Sequence, residues 1–220
     1  MGLALKIING WAFPNEDEFM VGKMTDDNTY QKTHLDAAMR WVKIRGKLDL
    51  AIDGGAHTGT WSQFMARDFK RVISFEPSPD TFEALTHNMR NADNAELRNQ
   101  ALGAGPGWVS MSIEGLEKAI ATKNTGARYV VEGGPISRVA IDSLGLSALD
   151  FLKLDVEGSE PNVLNGARKA LLQFKPIVLF EDKSAWKAFG FKRHAPQDIL
   201  TALGARHLER VEMDEIWGWI

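Results

Sequence analysis

The chain has no cysteine in its 220 residues, which excludes disulfides, thiolate metal centres and a cysteine nucleophile together. Any metal would have to take His, Asp or Glu as ligands. Surplus positive charge is also missing, since 26 Lys and Arg stand against 29 Asp and Glu for a net charge of −3. A polyanion would find no broad basic field, so nucleic acid is not expected as the main partner. No apolar run approaches the ~20 residues that cross a bilayer. The first ten residues carry one lysine and no Ala-x-Ala-like cleavage site, which argues against a secretory signal. A soluble, cytoplasmic protein with no membrane partner is the expectation. What is present, 44% hydrophobic and 25% charged residues, suits one substantial globular domain.

Periodicity gives that domain its rhythm. Leu35, Ala38, Met39 and Val42 follow helical spacing over Thr33 to Arg45, so residues 1–46 read as an N-terminal arm and helix, and 47–220 as the domain proper. Leu48 to Asp53 is a short apolar strand that runs into Gly54-Gly55-Ala56-His57-Thr58-Gly59 and a helix over Thr60 to Phe69. A second unit follows, with a strand over Arg71 to Phe75, the turn Glu76-Pro77-Ser78-Pro79 and a helix over Asp80 to Asn91. Ala95 to Leu102 reads as a third strand. Trp108 to Ile113 and Ser137 to Ile141 alternate like antiparallel strands around an insertion at 114–136. The βα rhythm then resumes: a strand over Leu149 to Leu154, one helix over Glu160 to Phe174, a strand over Pro176 to Phe180, a helix over Pro196 to Leu203, and two last strands. Strands alternating with helices predict an α/β, doubly wound, mostly parallel sheet with a small antiparallel insertion.

In such sheets ligands bind beyond the carboxyl ends of the strands. Three strands here end on acids or acid-bearing turns: Asp53, Glu76 and Asp155. The loop after the first strand has glycines at 54, 55 and 59, which completes neither the dinucleotide pattern G-x-G-x-x-G nor the phosphate loop G-x-x-x-x-G-K-[ST]. An acid there is awkward beside a pyrophosphate and sensible beside a ligand that carries an ammonium and a sulfonium. Glu76 lies about 20 residues on, where ribose hydroxyls are bound in such folds; alternatively it is a helix-starting acid.

These blocks, in order, resemble the FkbM family of methyltransferases over roughly residues 30 to 183. They are Ala51 to Gly59, Ile73 to Pro79, Asn99 to Gly103, Val139 to Leu144, Phe151 to Glu160 with Val163 to Ala167, and Lys175 to Glu181. The family usually has Asn or His where His57 stands. The resemblance implies a seven-stranded, Rossmann-like class I methyltransferase sheet with its last strand antiparallel. It also implies S-adenosylmethionine as cofactor and methyl transfer, usually to a hydroxyl oxygen, of a small-molecule or glycan acceptor. Position by position, it implies cofactor contacts from Asp53, Gly54, Gly55, Ala56, His57, Thr58 and Gly59, from Glu76 and Pro77, from Asn99, Gln100, Ala101 and Leu102 along the adenine edge, and from Asp155.

An alcohol acceptor must lose a proton, and Asp155, Glu157, Glu181, His57 and His194 are the candidate bases. Asp155 and Glu157, two apart at a strand end, converge only if the loop turns at Gly158. Asp155 can equally neighbour the sulfonium, cap the next helix or ligate a metal. A divalent ion on Asp155, Glu157 or Glu181 is an alternative that no ligand spacing singles out, so no metal is expected. Tyr30 and Gln31 could close over the cofactor, and Trp186 could border an acceptor pocket. His34, His87 and His207 are expected to be structural or solvent-facing. A degenerate binding module and an NAD-dependent oxidoreductase are the rival readings.

Overall fold

The computed structural model describes residues 4–24, 30–114, 117–183 and 185–220. Residues 1–3 and 25–29 of the expected arm, 115–116 of the insertion and 184 after Glu181 lie outside the described residues.

The chain opens with a hairpin, β1 (Leu5–Ile8) and β2 (Trp11–Pro14), followed by α1 (Glu18–Lys23) and α2 (Lys32–Arg45). The central run is β3 (Leu50–Gly54), α3 (Thr60–Asp68), β4 (Arg71–Phe75), α4 (Pro79–Asn88), β5 (Ala95–Arg98), β6 (Ala101–Leu102), β7 (Gly107–Ser112), α5 (Glu117–Ala121), β8 (Tyr129–Glu132) and β9 (Ile136–Val139). It ends with β10 (Phe151–Leu154), α6 (Glu160–Asn165), α7 (Arg168–Phe174), β11 (Ile177–Glu181), α8 (Ala195–Ala202), β12 (Arg206–Val211) and β13 (Asp214–Gly218).

Seven strands form the main sheet in the order β12-β13-β11-β10-β3-β4-β5. β3, β4, β5, β10 and β11 run parallel, and β13 is antiparallel to both its neighbours. Period-two alternation divides the core. Leu50, Ile52, Leu152, Leu154, Val178 and Phe180 face Val163, Leu164, Leu171 and Leu200 of α6, α7 and α8. Ala51, Val72, Phe151, Ile177 and Leu179 face Leu35, Met39 and Val42 of α2 and Trp61 and Met65 of α3. With both faces covered, the central strands read as near-continuous apolar runs.

Four features correct or add to these expectations. Residues 95–102 form two strands in different sheets, because β6 leaves the main sheet to join β9, β7 and β8 in a second, four-stranded one. The insertion carries β8 and α5 in addition to the expected strands. The helix expected over 160–174 is two helices. Gly166 lies between them, where an added Cβ would meet the Gly103 carbonyl oxygen at 2.1 Å. Asp142 then caps the second helix by accepting from the N–H groups of Lys169 and Ala170, satisfying two of its orphan donors. Lastly, the arm is built as a hairpin. Asn9 and Gly10 both adopt positive φ, and Asn88 of α4 satisfies the backbone of Ala12 twice, at 2.7 and 2.9 Å. Among the described residues no helix is long and apolar enough to cross a membrane.

Candidate active site

The carboxyl ends of β3, β4, β10 and β11 open on one cavity, roofed by the arm and the insertion. Its floor is set by the glycine loop. Gly55 has φ +77°, and a Cβ there would stand 1.8 Å from the Asp155 carbonyl oxygen, so only glycine allows the two strand ends to close up. Its N–H and that of Ala56 donate to the Phe75 carbonyl at 3.0 and 2.9 Å.

At one end Glu76 is buried but lines the cavity. Its Oε1 accepts from the Ser78 N–H and the Thr81 hydroxyl, both at 2.8 Å, and its Oε2 accepts from the His57 N–H at 2.9 Å. Three donors leave part of the carboxylate's accepting capacity free. Burial pushes Glu76 above its ordinary range, against the opposing pull of His57 and these donors. Phe75, Ala101, Leu102, Met111 and Val130 give this region apolar walls. Arg128 of the insertion closes it by pairing with Asp80 at 2.6 Å.

At the other end Asp155, Glu157 and Glu181 bring carboxylate oxygens within 4.8 Å of one another. The loop after β10 does turn as required, through positive φ at Glu157 and Gly158. Non-glycine residues in that region cost of order 1–3 kcal/mol and gather at functional sites. Lys183 joins the group, 2.7 Å from Glu181 and 3.1 Å from Glu157. Burial acts against ionisation of all three acids, but Lys153 and Lys183 hold Asp155 below its ordinary range. Burial and the Asp155 charge push Glu157 up to about 7 and Glu181 up to about 9. Burial pushes Tyr30, which roofs this end, up to about 12, and Asp155 and Glu181 add to the rise. The trio therefore retains a proton above neutral pH, carried by Glu181, which lies within hydrogen-bonding reach of Asp155.

That retained proton affects stability. The folded-state pKa of Glu181, about 9, lies above its ordinary 4.5. Its contribution to stability is therefore complete below about pH 4.5 and is lost as pH rises through 9. Glu181→Gln should match the wild type near pH 5 and exceed it near pH 9, the gap in stability opening by up to ~1.4 kcal/mol for each pH unit between the two and showing as a higher Tm at the alkaline end. Thermal scans at both pH values check this, and an offset independent of pH would refute it.

Between the two ends, His57 has positive φ. Its Nε2 lies 2.9 Å from Thr125 Oγ1 and 3.4 Å from Asp17 Oδ2, and Thr125 donates to Asp17 at 2.7 Å. Glycine loop, insertion and arm meet at this point.

The expected site residues are distributed unevenly. Gly55, Ala56, His57, Glu76, Pro77, Gln100, Ala101, Leu102, Asp155, Glu157, Glu181, Tyr30 and Gln31 line the cavity; Asp53, Gly54, Thr58, Gly59 and Asn99 do not. Asp53 is fully buried, with Ser62 donating to Oδ2 at 2.7 Å and Lys153 Nζ lying 3.1 Å from Oδ1. Thr58 accepts from the Trp11 indole, and Asn99 donates to the Glu76 and Pro77 carbonyls. Trp186 is core, stacked edge-on against Phe180. His194 lies exposed at the start of α8, away from the cavity. His34 is buried, and His207 packs against Trp217.

A family model described as the methyltransferase FkbM domain matches residues 53–217, which contain all four acids of the site. The chain belongs to the FkbM methyltransferase family. A curated relative, hexuronic acid methyltransferase AglP of Haloferax volcanii, is 26% identical over 137 residues, or 60% of this chain and 55% of its own. The chain thus spans about half the length of the curated relative it matches. Methyltransferase FkbM from Methylobacillus flagellatus KT superposes with a TM-score of 0.50 at 19% identity, over 78% of this chain and 43% of that one. N-methyltransferase NodS from Bradyrhizobium japonicum WM9 does so with a TM-score of 0.51 at 11% identity, over 88% and 97%. These likenesses show the fold, a class I methyltransferase sheet.

Within this FkbM chain, sequence reasoning missed Lys153, Lys183, Thr125 and Arg128. Lys153 had a signal, as a lone cation inside the apolar strand Phe151-Leu152-Lys153-Leu154; such a lysine must be paired. It pairs with Asp53 and donates to the Gly55 carbonyl at 2.7 Å. Burial opposes its charge, but Asp53 and Asp155 outweigh burial and hold it above the ordinary lysine range.

Proposed function

We propose that the chain transfers a methyl group from S-adenosylmethionine to a hydroxyl oxygen of a small molecule or glycan, with Glu157 as the proton acceptor. One observation carries this reading: a single cavity runs from Glu76, with accepting capacity to spare, to the Asp155, Glu157 and Glu181 cluster. The donor set fits the cofactor at each part. Glu76 suits ribose hydroxyls, and the walls of Phe75, Leu102 and Val130 suit a flat heteroaromatic ring. Thr60 and Trp61, in the first turn of α3, also line the cavity and present the positive end of that helix to a carboxylate. The carboxylates at the far end suit an ammonium or sulfonium.

When bound, the cofactor supplies an electrophilic methyl carbon on a positively charged sulfur. The residues do the rest. Holding the acceptor oxygen in line with the S–CH₃ bond can lower the barrier by ~7–11 kcal/mol. Glu157 would accept the hydroxyl proton of the acceptor, and the bound cofactor would supply the methyl group that replaces it. Among the three acids Glu157 suits this role: a base works best with a pKa near the working pH, Asp155 is held too acidic, and Glu181 is already protonated. The name of the curated relative, a hexuronic acid methyltransferase, supports a carbohydrate acceptor.

Calorimetry with S-adenosylhomocysteine tests the reading. Binding is expected, and Glu76→Ala should weaken it about 100-fold or more through lost hydrogen bonds to a charged acceptor. Unchanged affinity in Glu76→Ala would sink the assignment. Binding without methyl transfer to any of a broad panel of hydroxylated acceptors would favour a binding module instead.

A further inference from the structure

We propose that Lys183 is a positioning residue for this reaction: its ammonium bridges Glu157 and Glu181 at the cavity wall, offsets the crowding of negative charge there and holds the proton-accepting carboxylate ready for the acceptor. The inference rests on the methyltransferase reading for the identity of the reacting atoms.

Three cations of lysine or arginine line the cavity among the described residues, and two are committed elsewhere. Arg128 is tied to Asp80 and Ser78 near Glu76. Lys153 lies beneath the floor, bonded to Asp53 and the Gly55 carbonyl. Only Lys183 touches Glu157 and Glu181. The groups that face this cluster from the surrounding elements are mostly acids. Asp155 comes from the same loop as Glu157, Asp214 from β13 and Tyr30 from the arm, with Lys153 below and His57 on the glycine loop. Burial and the Asp155 charge push Asp214 up to about 7, a further sign that this end holds more acid than nearby cations can neutralise.

Carboxylates this close repel one another, so without a cation the least costly state is for Glu157 to keep its proton, and a protonated carboxyl cannot accept one. Lys183 removes that obstacle. Burial opposes its charge, but Asp155, Glu157 and Glu181 outweigh burial and hold it above the ordinary lysine range, so it stays charged wherever the enzyme works. Its side chain is 41% exposed and comes from the loop after β11, so the sheet can fold around the acids without it. Any ammonium 3.1 Å from Glu157 lowers its midpoint, so the readout that a merely structural lysine would leave alone is the acidic limb of kcat, which should move up with the Glu157 midpoint in Lys183→Met; a limb that stays in place overturns the proposal.

The experiment is ¹³C-carboxyl NMR titration of the full chain, without ligand and with S-adenosylhomocysteine. In the wild type Glu157 should titrate near pH 7. In Lys183→Met its midpoint, and that of Glu181, should rise by about one pH unit or more, as expected on losing an adjacent opposite charge. Lys183→Arg should stay within about half a unit of the wild type. A Lys183→Met protein that folds and titrates with wild-type midpoints overturns the proposal. If Lys183→Met does not fold, the wild-type Lys183 ¹⁵Nζ signal decides: it should move as Glu157 titrates, and a flat response overturns the proposal. Failure of the wild type to bind S-adenosylhomocysteine would refute the functional reading instead, and the ligand-free titrations would still decide this one.

Discussion

Glu157→Gln is expected to lower kcat by about 10²–10⁴-fold, the usual worth of a general base, while leaving affinity for S-adenosylhomocysteine within a few-fold of the wild type. The substitution keeps size and hydrogen-bonding reach but removes the ability to accept a proton. Working pH sharpens the test. Because Glu157 is pushed up to about 7 by burial and the Asp155 charge, and because a base must be deprotonated to act, wild-type activity should rise as pH increases through about 7. The variant should lose that limb along with most of its rate. Initial rates of transfer of a labelled methyl group to any hydroxylated acceptor that the wild type turns over, measured from pH 5.5 to 9, supply both readouts. Retention of wild-type kcat would pass the role to Asp155 or His57.

Gly55→Ala should be the most damaging single methyl in the site. The added carbon meets the carbonyl oxygen and carbon of Asp155 at 1.8 and 2.8 Å, backbone atoms that cannot swing aside, at a residue with φ +77°. The left-handed conformation costs an alanine about 1–2 kcal/mol, and overpacking adds about 1–3 kcal/mol. Together these correspond to a Tm loss of roughly 5–15 °C. Separation of β3 from β10 should also abolish cofactor binding. Gly10→Ala is the internal control, since Gly10 has the same φ of +77° with nothing within 4 Å, and should show only the conformational part. Equal losses in the two variants would mean that close approach of the strands is not what requires glycine at 55.

The strand ends were readable because an acid that terminates an apolar run is conspicuous. Asp155 shows this well: the strand predicts its place and the turn at Gly158 predicts its convergence with Glu157. Asp53 was equally conspicuous for a different reason, and the structure turns it inward to Lys153 and Ser62. An inward and an outward acid look alike in one dimension. The hairpin had a signal too, Asn9-Gly10 between apolar runs, but strands of four residues leave little periodicity to confirm it. The break at Gly166 depends on Gly103, 63 positions away in the chain, and no local pattern carries such a contact. Lys183, Thr125 and Arg128 sit in loops or in the insertion, where side-chain direction follows tertiary closure and not spacing, so the rim of the cavity was the least readable part.

The Lys153–Asp53 pair has a consequence for assembly that is separate from chemistry. The two residues stand opposite each other on β10 and β3, inside a sheet whose central strands offer long, interchangeable apolar surfaces. A slip of one residue between these strands would turn Lys153 into the layer of Leu152, Leu154 and Ile52, where the packing is apolar. An unpaired buried charge costs about 3–5 kcal/mol, a large fraction of the total stability of a domain. The misaligned sheet is thus penalised before any ligand arrives. The strand ends that bear Gly55 and Asp155 meet at one height because a lysine in the middle of the sheet tolerates only one alignment.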